Sequence, residues 1–207
     1  MNEHHAWVTS QLFFAFKPLS LIGYPSDGQA MEALFGQHSS GERYDDNAFK
    51  HIAKWDLSLK GHSKTLPDVF MCNGFTVLTG KAKDIFVLHD MGCATFHQLT
   101  LYEADGATLF SDNLFLLNFG DRKDALVPDE SLKLRNAFVA GGTKVLPYAD
   151  QRADDDVVLT HAALAGADIW TDPMIFNAVF FSDRLRAALR RARIDQAFKL
   201  TRCPIKP

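Results

Sequence analysis

Residues 180–200 read FFSDRLRAALRRARIDQAFKL. The aromatic pair ends a strand. Ser182 is a helix-capping residue type, because its hydroxyl accepts from an N–H of the first turn. Asp183 follows, where the helix dipole favours a carboxylate. Leu185, Ala188, Leu189 and Ala192 recur at helical spacing and form a buried stripe. Arg184, Arg186, Arg190, Arg191 and Arg193 cover the rest of the helix. A face of this kind reads as solvated, with long stems lying over apolar surface; phosphate binding is the other reading. QAFKL (196–200) reads as a returning strand.

A related unit, VLTGKAKDIFVLHDMGCATFHQL, occupies 77–99. Phe75–Leu78 is a short apolar strand, Thr79 caps a helix from Gly80, and Ala82, Ile85, Phe86 and His89 share one helical face. Met91–Gly92 marks the expected stop. Thr79 matches Ser182, Lys81 matches Arg184, Lys83 matches Arg186 and Phe86 matches Leu189 at the same offset. Two matched strand–helix–strand units predict an α+β fold with pseudo-repeated halves. Its sheet is expected to be mixed but mostly antiparallel, with a few flanking helices.

Elsewhere the patterns are local. Ala53, Trp55, Leu57 and Leu59 alternate with polar residues, the period of a half-buried strand. PSDGQAMEALFG (25–36) predicts a short helix capped by Ser26 or Asp27 and stopped at Gly36. Pro67 marks an edge or a turn. Asp105–Gly106 between apolar runs predicts a hairpin. NLFLLNF (113–119) is apolar enough for a sheet centre. VVLTHAAL reads as a strand entering a turn, and Asp172–Pro173 separates two further strands. Residues 1–50 are the least patterned and read as an arm or lobe on a core of 51–207, all within one domain.

The 207 residues are 47% hydrophobic and 23% charged, enough to bury a sizeable core. A net charge of −3 gives no general pull toward nucleic acid or anionic membrane. Three cysteines do not suit a disulfide framework, so a reducing cytoplasm is expected. No basic leader and no run long enough to span a bilayer is read at the N-terminus. Seventeen phenylalanines point to a core and an interface rich in aromatic area.

No nucleophile elbow, phosphate-cradling loop, dinucleotide fingerprint or paired-histidine zinc motif is present. The nearest approach to catalytic or metal chemistry is His89, Cys93 and His97, with Asp90 among them. A thiolate beside an imidazole is a usable nucleophile, and these residue types bind zinc. The plainer reading is a helix-terminal histidine, a small apolar cysteine in a turn entering a strand, and a strand histidine facing water. No catalytic residue, metal or cofactor is therefore assigned. The acidic run Asp150, Asp154, Asp155 and Asp156 is a solvated loop or a surface for a basic partner.

The order of pieces resembles a family of bacterial immunity proteins from polymorphic-toxin systems, family eleven. Pro67, Asp68 and Thr79 match its first half, and Ser182, Leu185, Ala188, Ala192, Ile194 and Phe198 its second. Two positions depart: Asp195–Gln196 replaces a usual glycine, and Gly80 stands where an acidic residue is usual. The resemblance implies a cytoplasmic, non-enzymatic protein that binds and neutralises a cognate secreted toxin. Many such toxins are nucleases, whose basic clefts an acidic loop would fit. The alternative is a small hydrolase using Cys93 with His89 or His97, or a metal.

Overall fold

The computed structural model describes residues 5–9, 19–22, 28–55, 66–139, 142–147, 153–175 and 178–206. In chain order the elements are β1 (His5–Thr9), β2 (Leu19–Ile22), α1 (Gly28–Ser39), β3 (Ile52–Trp55), β4 (Val69–Cys72), β5 (Phe75–Thr79) and α2 (Gly80–Phe86). They continue as β6 (Thr95–Tyr102), β7 (Leu109–Asn118), β8 (Leu134–Val139), β9 (Gly142–Pro147), β10 (Leu159–Thr160), β11 (Ile169–Trp170), β12 (Val179–Ser182), α3 (Asp183–Arg191) and β13 (Leu200–Lys206). The strands form a six-stranded sheet, β2-β3-β6-β7-β5-β4, a five-stranded sheet, β10-β13-β1-β12-β11, and a β8–β9 hairpin. Both larger sheets are mixed and mostly antiparallel, an α+β architecture as expected.

The repeat anticipated from the caps extends to the whole topology. Five strands of the first sheet run β3-β6-β7-β5-β4, and the second sheet runs β10-β13-β1-β12-β11. In each, the first pair is parallel and the next three are antiparallel. Each copy is a hairpin, a capped helix and a further strand. The difference lies in the central strand. The first copy makes it from β7, which follows directly in the chain; the second takes it from the far end of the chain, as β1. Trp7 lies opposite both Phe181 and Arg202, so the N-terminal strand closes the C-terminal sheet.

Each sheet has a face that only the other copy can cover. Val69, Leu78, Ala82 and Phe86 of the first copy meet Ile169, Phe181, Leu185 and Leu189 of the second in one core, with α2 and α3 inside it. Two outer cores flank this layer. One lies against α1 and the following loop, around Tyr44, Phe75 and Leu114; the other lies around Trp170, Phe180 and Leu159.

Three local expectations change. Gly36 does not stop α1, which continues to Ser39 because His38 and Ser39 are buried in its last turn. α2 ends at Phe86, before Met91–Gly92: Leu88 and His89 N–H groups bond three residues back, which tightens the chain into a turn. QAFKL is not a strand from its start. Asp195–Phe198 is a 3-10 turn, Lys199 is left-handed (φ 44°), and β13 begins at Leu200. The strand around Ala53 and Trp55 is present as β3; its predicted extension beyond 55 and the caps Ser26 and Asp27 lie outside the described residues. The Asp105–Gly106 hairpin, the central place of β7 and the strands around Asp172–Pro173 hold.

His38 sits in the outer core between the rings of Phe75 and Phe119, with centroids 5.0 and 5.1 Å away. Its Nε2 accepts the Thr76 N–H at 3.2 Å, which fixes the neutral tautomer with hydrogen on Nδ1. Burial pushes its pKa from 6.5 to about 3. The unfolded chain therefore takes up a proton that the folded chain refuses. This contribution to stability is complete above pH 6.5 and is lost as pH falls toward 3. In denaturant titrations, His38→Gln, which keeps an acceptor for the Thr76 amide, should remove about 2 kcal/mol of the wild-type loss between pH 8 and pH 5. A second expectation concerns β1. A chain lacking residues 1–9 leaves β12 and β13 without their shared neighbour, and its urea transition should lose cooperativity.

Candidate partner-binding surface

The helices of the two copies, α2 and α3, are each fixed at the N-terminus by the same three-part device. In the first copy the Thr79 hydroxyl accepts from the Ala82 N–H at 3.4 Å and donates to Asp68 at 3.1 Å, and Lys81 reaches the same carboxylate at 3.0 Å. In the second, Ser182 accepts from the Leu185 N–H at 3.2 Å and donates to Asp168, and Arg184 bonds the same carboxylate. The backbone repeats this too: Thr79 N–H donates to Asp68 O, and Ser182 N–H to Asp168 O, at 2.9 and 2.8 Å. Four residues after each cap a cation lies over the aromatic ring of the central strand. Lys83 is 4.7 Å from the Phe115 ring and Arg186 is 4.0 Å from the Trp7 ring. Phe115 and Trp7 hold matching register positions, opposite Leu78 and Phe181 respectively.

The copies differ in burial. Asp168 is 1% exposed and also accepts the Asp90 N–H at 2.9 Å, tying the turn after α2 to the start of α3. Burial raises its pKa, but the hydrogen bonds from Arg184, Ser182 and the Asp90 amide outweigh this and hold it below the ordinary value. The side chain of Asp68 is one-third exposed. At Gly80, where the family resemblance expects an acid, a Cβ would stand 2.1 Å from Oδ1 of the exposed Asn113, so a side chain there would have to displace that amide. Asp183, the residue at that position in the second copy, instead accepts the Trp7 indole N–H at 2.9 Å.

A cleft of about 560 Å³ opens beside Asp168, lined also by Lys123, Leu164, Asp90 and Arg184. Lys123 donates to Ala163 O and Ala167 O at 3.1 and 2.8 Å and lies 3.7 Å over the Trp170 ring. Burial, opposed by Asp168, Asp121 and Asp90, brings its pKa to about 8. Its hydrogen bonds face the backbone, so it serves as a structural tie.

The structure does not gather His89, Cys93 and His97 into one site. His89 Nδ1 lies 3.7 Å from Asp168; His97 Nε2 lies 3.1 Å from Asp46 and its ring stacks on His51. Cys93 is exposed and its N–H donates to Asp121. Among the described residues no three His, Cys, Asp or Glu side chains form a metal-binding group. The acidic loop has internal partners. Asp154 accepts the Arg202 N–H at 2.8 Å, Asp155 takes the Arg202 guanidinium at 3.0 and 2.6 Å, and buried Asp156 pairs with Lys133 at 2.9 Å. Asp150 lies outside the described residues.

These contacts link the loop to α3. A cross-strand row runs Ile169–Phe181–Trp7–Arg202, from the core to the surface, with Arg186 on Trp7 and Asp155 on Arg202. Beyond Arg186, a groove of about 590 Å³ is lined by Arg190, Arg193, Asp195 and Gln196. A partly exposed tryptophan set among arginines has the composition of a protein-binding anchor. One part of this arrangement carries a sequence signal: Asp168-Ile169-Trp170 echoes Asp68-Val69-Phe70 upstream of the matched caps. Nothing local signals Trp7, whose partner Asp183 is 176 residues away.

The unequal burial of the two carboxylates gives a direct expectation. Asp168→Ala removes a buried carboxylate and strips the part-buried Asp90 amide and Ser182 hydroxyl of their acceptor, and should cost about 3 kcal/mol of unfolding free energy. Asp68→Ala, at the wetter copy, should cost about 1 kcal/mol. Equal losses in parallel denaturation curves would contradict this account.

Among the described residues no helix is long and apolar enough to cross a membrane. No curated protein matches the chain. The family model described as Immunity protein family (Imm11) matches residues 26–200, most of the chain, and so this protein belongs to that immunity protein family.

Proposed function

We propose that this protein binds a cognate bacterial toxin and neutralises it by occupying its surface, protecting the cell that makes both. Family membership across residues 26–200 is the observation that carries this reading. A duplicated, helix-latched frame supports it, because a rigid face with a few anchors is what an inhibitor needs. The hydrolase alternative gains no support, since the two histidines pair with different carboxylates, His89 with Asp168 and His97 with Asp46. In the nuclease version of the reading, Asp154 and Asp155 meet a basic cleft; their bonds to Arg202 reduce the potential they offer.

The test is co-expression with the product of the adjacent gene in a susceptible host. The expected outcome is growth arrest by that product alone, relief by this protein, and co-purification of a stoichiometric complex. A toxic neighbour that kills equally well in its presence, or a harmless one that forms no complex, would overturn the proposal.

A further inference from the structure

We infer that the arginine face of α3, with Trp7 beside it, is the docking surface for an acidic patch on the toxin. This inference rests on the function proposed above. The repeat supplies the argument, because it separates what the frame needs from what it does not. The capping residue, the cation two residues on and the cation four residues on occur in both copies, and each has an internal task. Arg184 and Arg186 are thereby accounted for.

The next exposed positions differ in kind. At eight, nine and eleven residues beyond the cap the first copy has Val87, Leu88 and Asp90; the second has Arg190, Arg191 and Arg193. The frame therefore holds without arginine there. All three arginines are exposed, and among the described residues none of them forms an ion pair. Arg186 and Arg190 are also one turn apart on the same helix, a like-charge arrangement that disfavours the helix in isolation. Carboxylates on a partner would reverse that repulsion and bind the guanidinium forks in pairs.

The chain as a whole carries −3, yet the groove beyond Arg186 is lined by Arg186, Arg190 and Arg193 against one carboxylate, Asp195. The local field is thus positive on an acidic molecule, the condition for steered encounter with an acidic surface. A protein fits better than nucleic acid. Asp155, Asp183 and Asp195 are interspersed with the cations, where they would repel a continuous phosphate backbone. Trp7 adds a partly exposed aromatic edge, held in place by Asp183 and Arg186, for an apolar anchor on the partner.

The experiment titrates the toxin from the co-expression test against purified wild type, Arg190→Glu/Arg193→Glu and Asp154→Asn/Asp155→Asn, with a duplex DNA oligonucleotide as a second probe. Melting curves first verify that each variant folds; the arginines are exposed, so wild-type stability is expected. The arginine variant should bind the toxin about a hundredfold more weakly, mainly through a slower on-rate, and the wild-type affinity should fall steeply with salt. Unchanged binding by the arginine variant alongside tight wild-type binding would overturn this inference and leave the immunity reading intact. Loss confined to the Asp154/Asp155 variant would move the contact to the acidic loop and equally overturn it. Tight DNA binding by the wild type, lost in the arginine variant, would replace the acidic protein with nucleic acid. Failure of the wild type to bind the toxin at all would overturn both proposals.

Discussion

Phe86, Phe181 and Phe198 meet between the two sheets, with ring centroids 5.0 to 6.3 Å apart. Phe86 comes from one copy of the repeated unit and the other two from the second. Neither copy can withdraw its apolar face from water alone, since each sheet is covered on this side by the opposite copy and its helix. The shared core is therefore what makes the duplication a single packed body rather than two modules on a string. Every other feature is arranged around it: α2 and α3 lie within it, the latching carboxylates lie at its margin, and the outer cores close the backs of the sheets.

Holding two helices in a shared core demands that their N-termini be placed to within a fraction of a turn. The carboxylate–hydroxyl–cation latch does this twice, with one difference in solvation. Asp168 is sealed in and also ties down the turn after α2 through the Asp90 amide, while Asp68 remains in reach of water. The second copy is consequently the more firmly positioned of the two. It is also the copy whose surface carries Trp7, the unpaired arginines and, through Arg202, the acidic loop. A binding face built beside the better-fixed latch loses less conformational freedom on association.

Much of this was open to a reading of the chain. Ser182 and Thr79 cap as expected because a cap is a contact within four residues, and Asp105–Gly106 turns a hairpin for the same local reason. The hairpin between β4 and β5 carries an equally local signal. Asn73 and Gly74 adopt φ of 48° and 88°, the pair of positive angles that Asn-Gly favours. Boundaries were poorer wherever tertiary burial extends or trims an element, as at His38, Phe86 and Leu200.

The sequence by itself determined the repeated units, their caps, the α+β class and the family, because each rests on residue types at short fixed spacings. Only the tertiary structure decided which strand completes the second sheet, which carboxylate is sealed, and which charges remain for a partner. β1 enters the C-terminal sheet across nearly the whole chain, and no periodicity encodes such a pairing. The two charged stretches look equally available in sequence. In the fold Arg202 and Lys133 reach the carboxylates of one, while no carboxylate reaches Arg190, Arg191 or Arg193 among the described residues, since what a charge meets is set by distance in space.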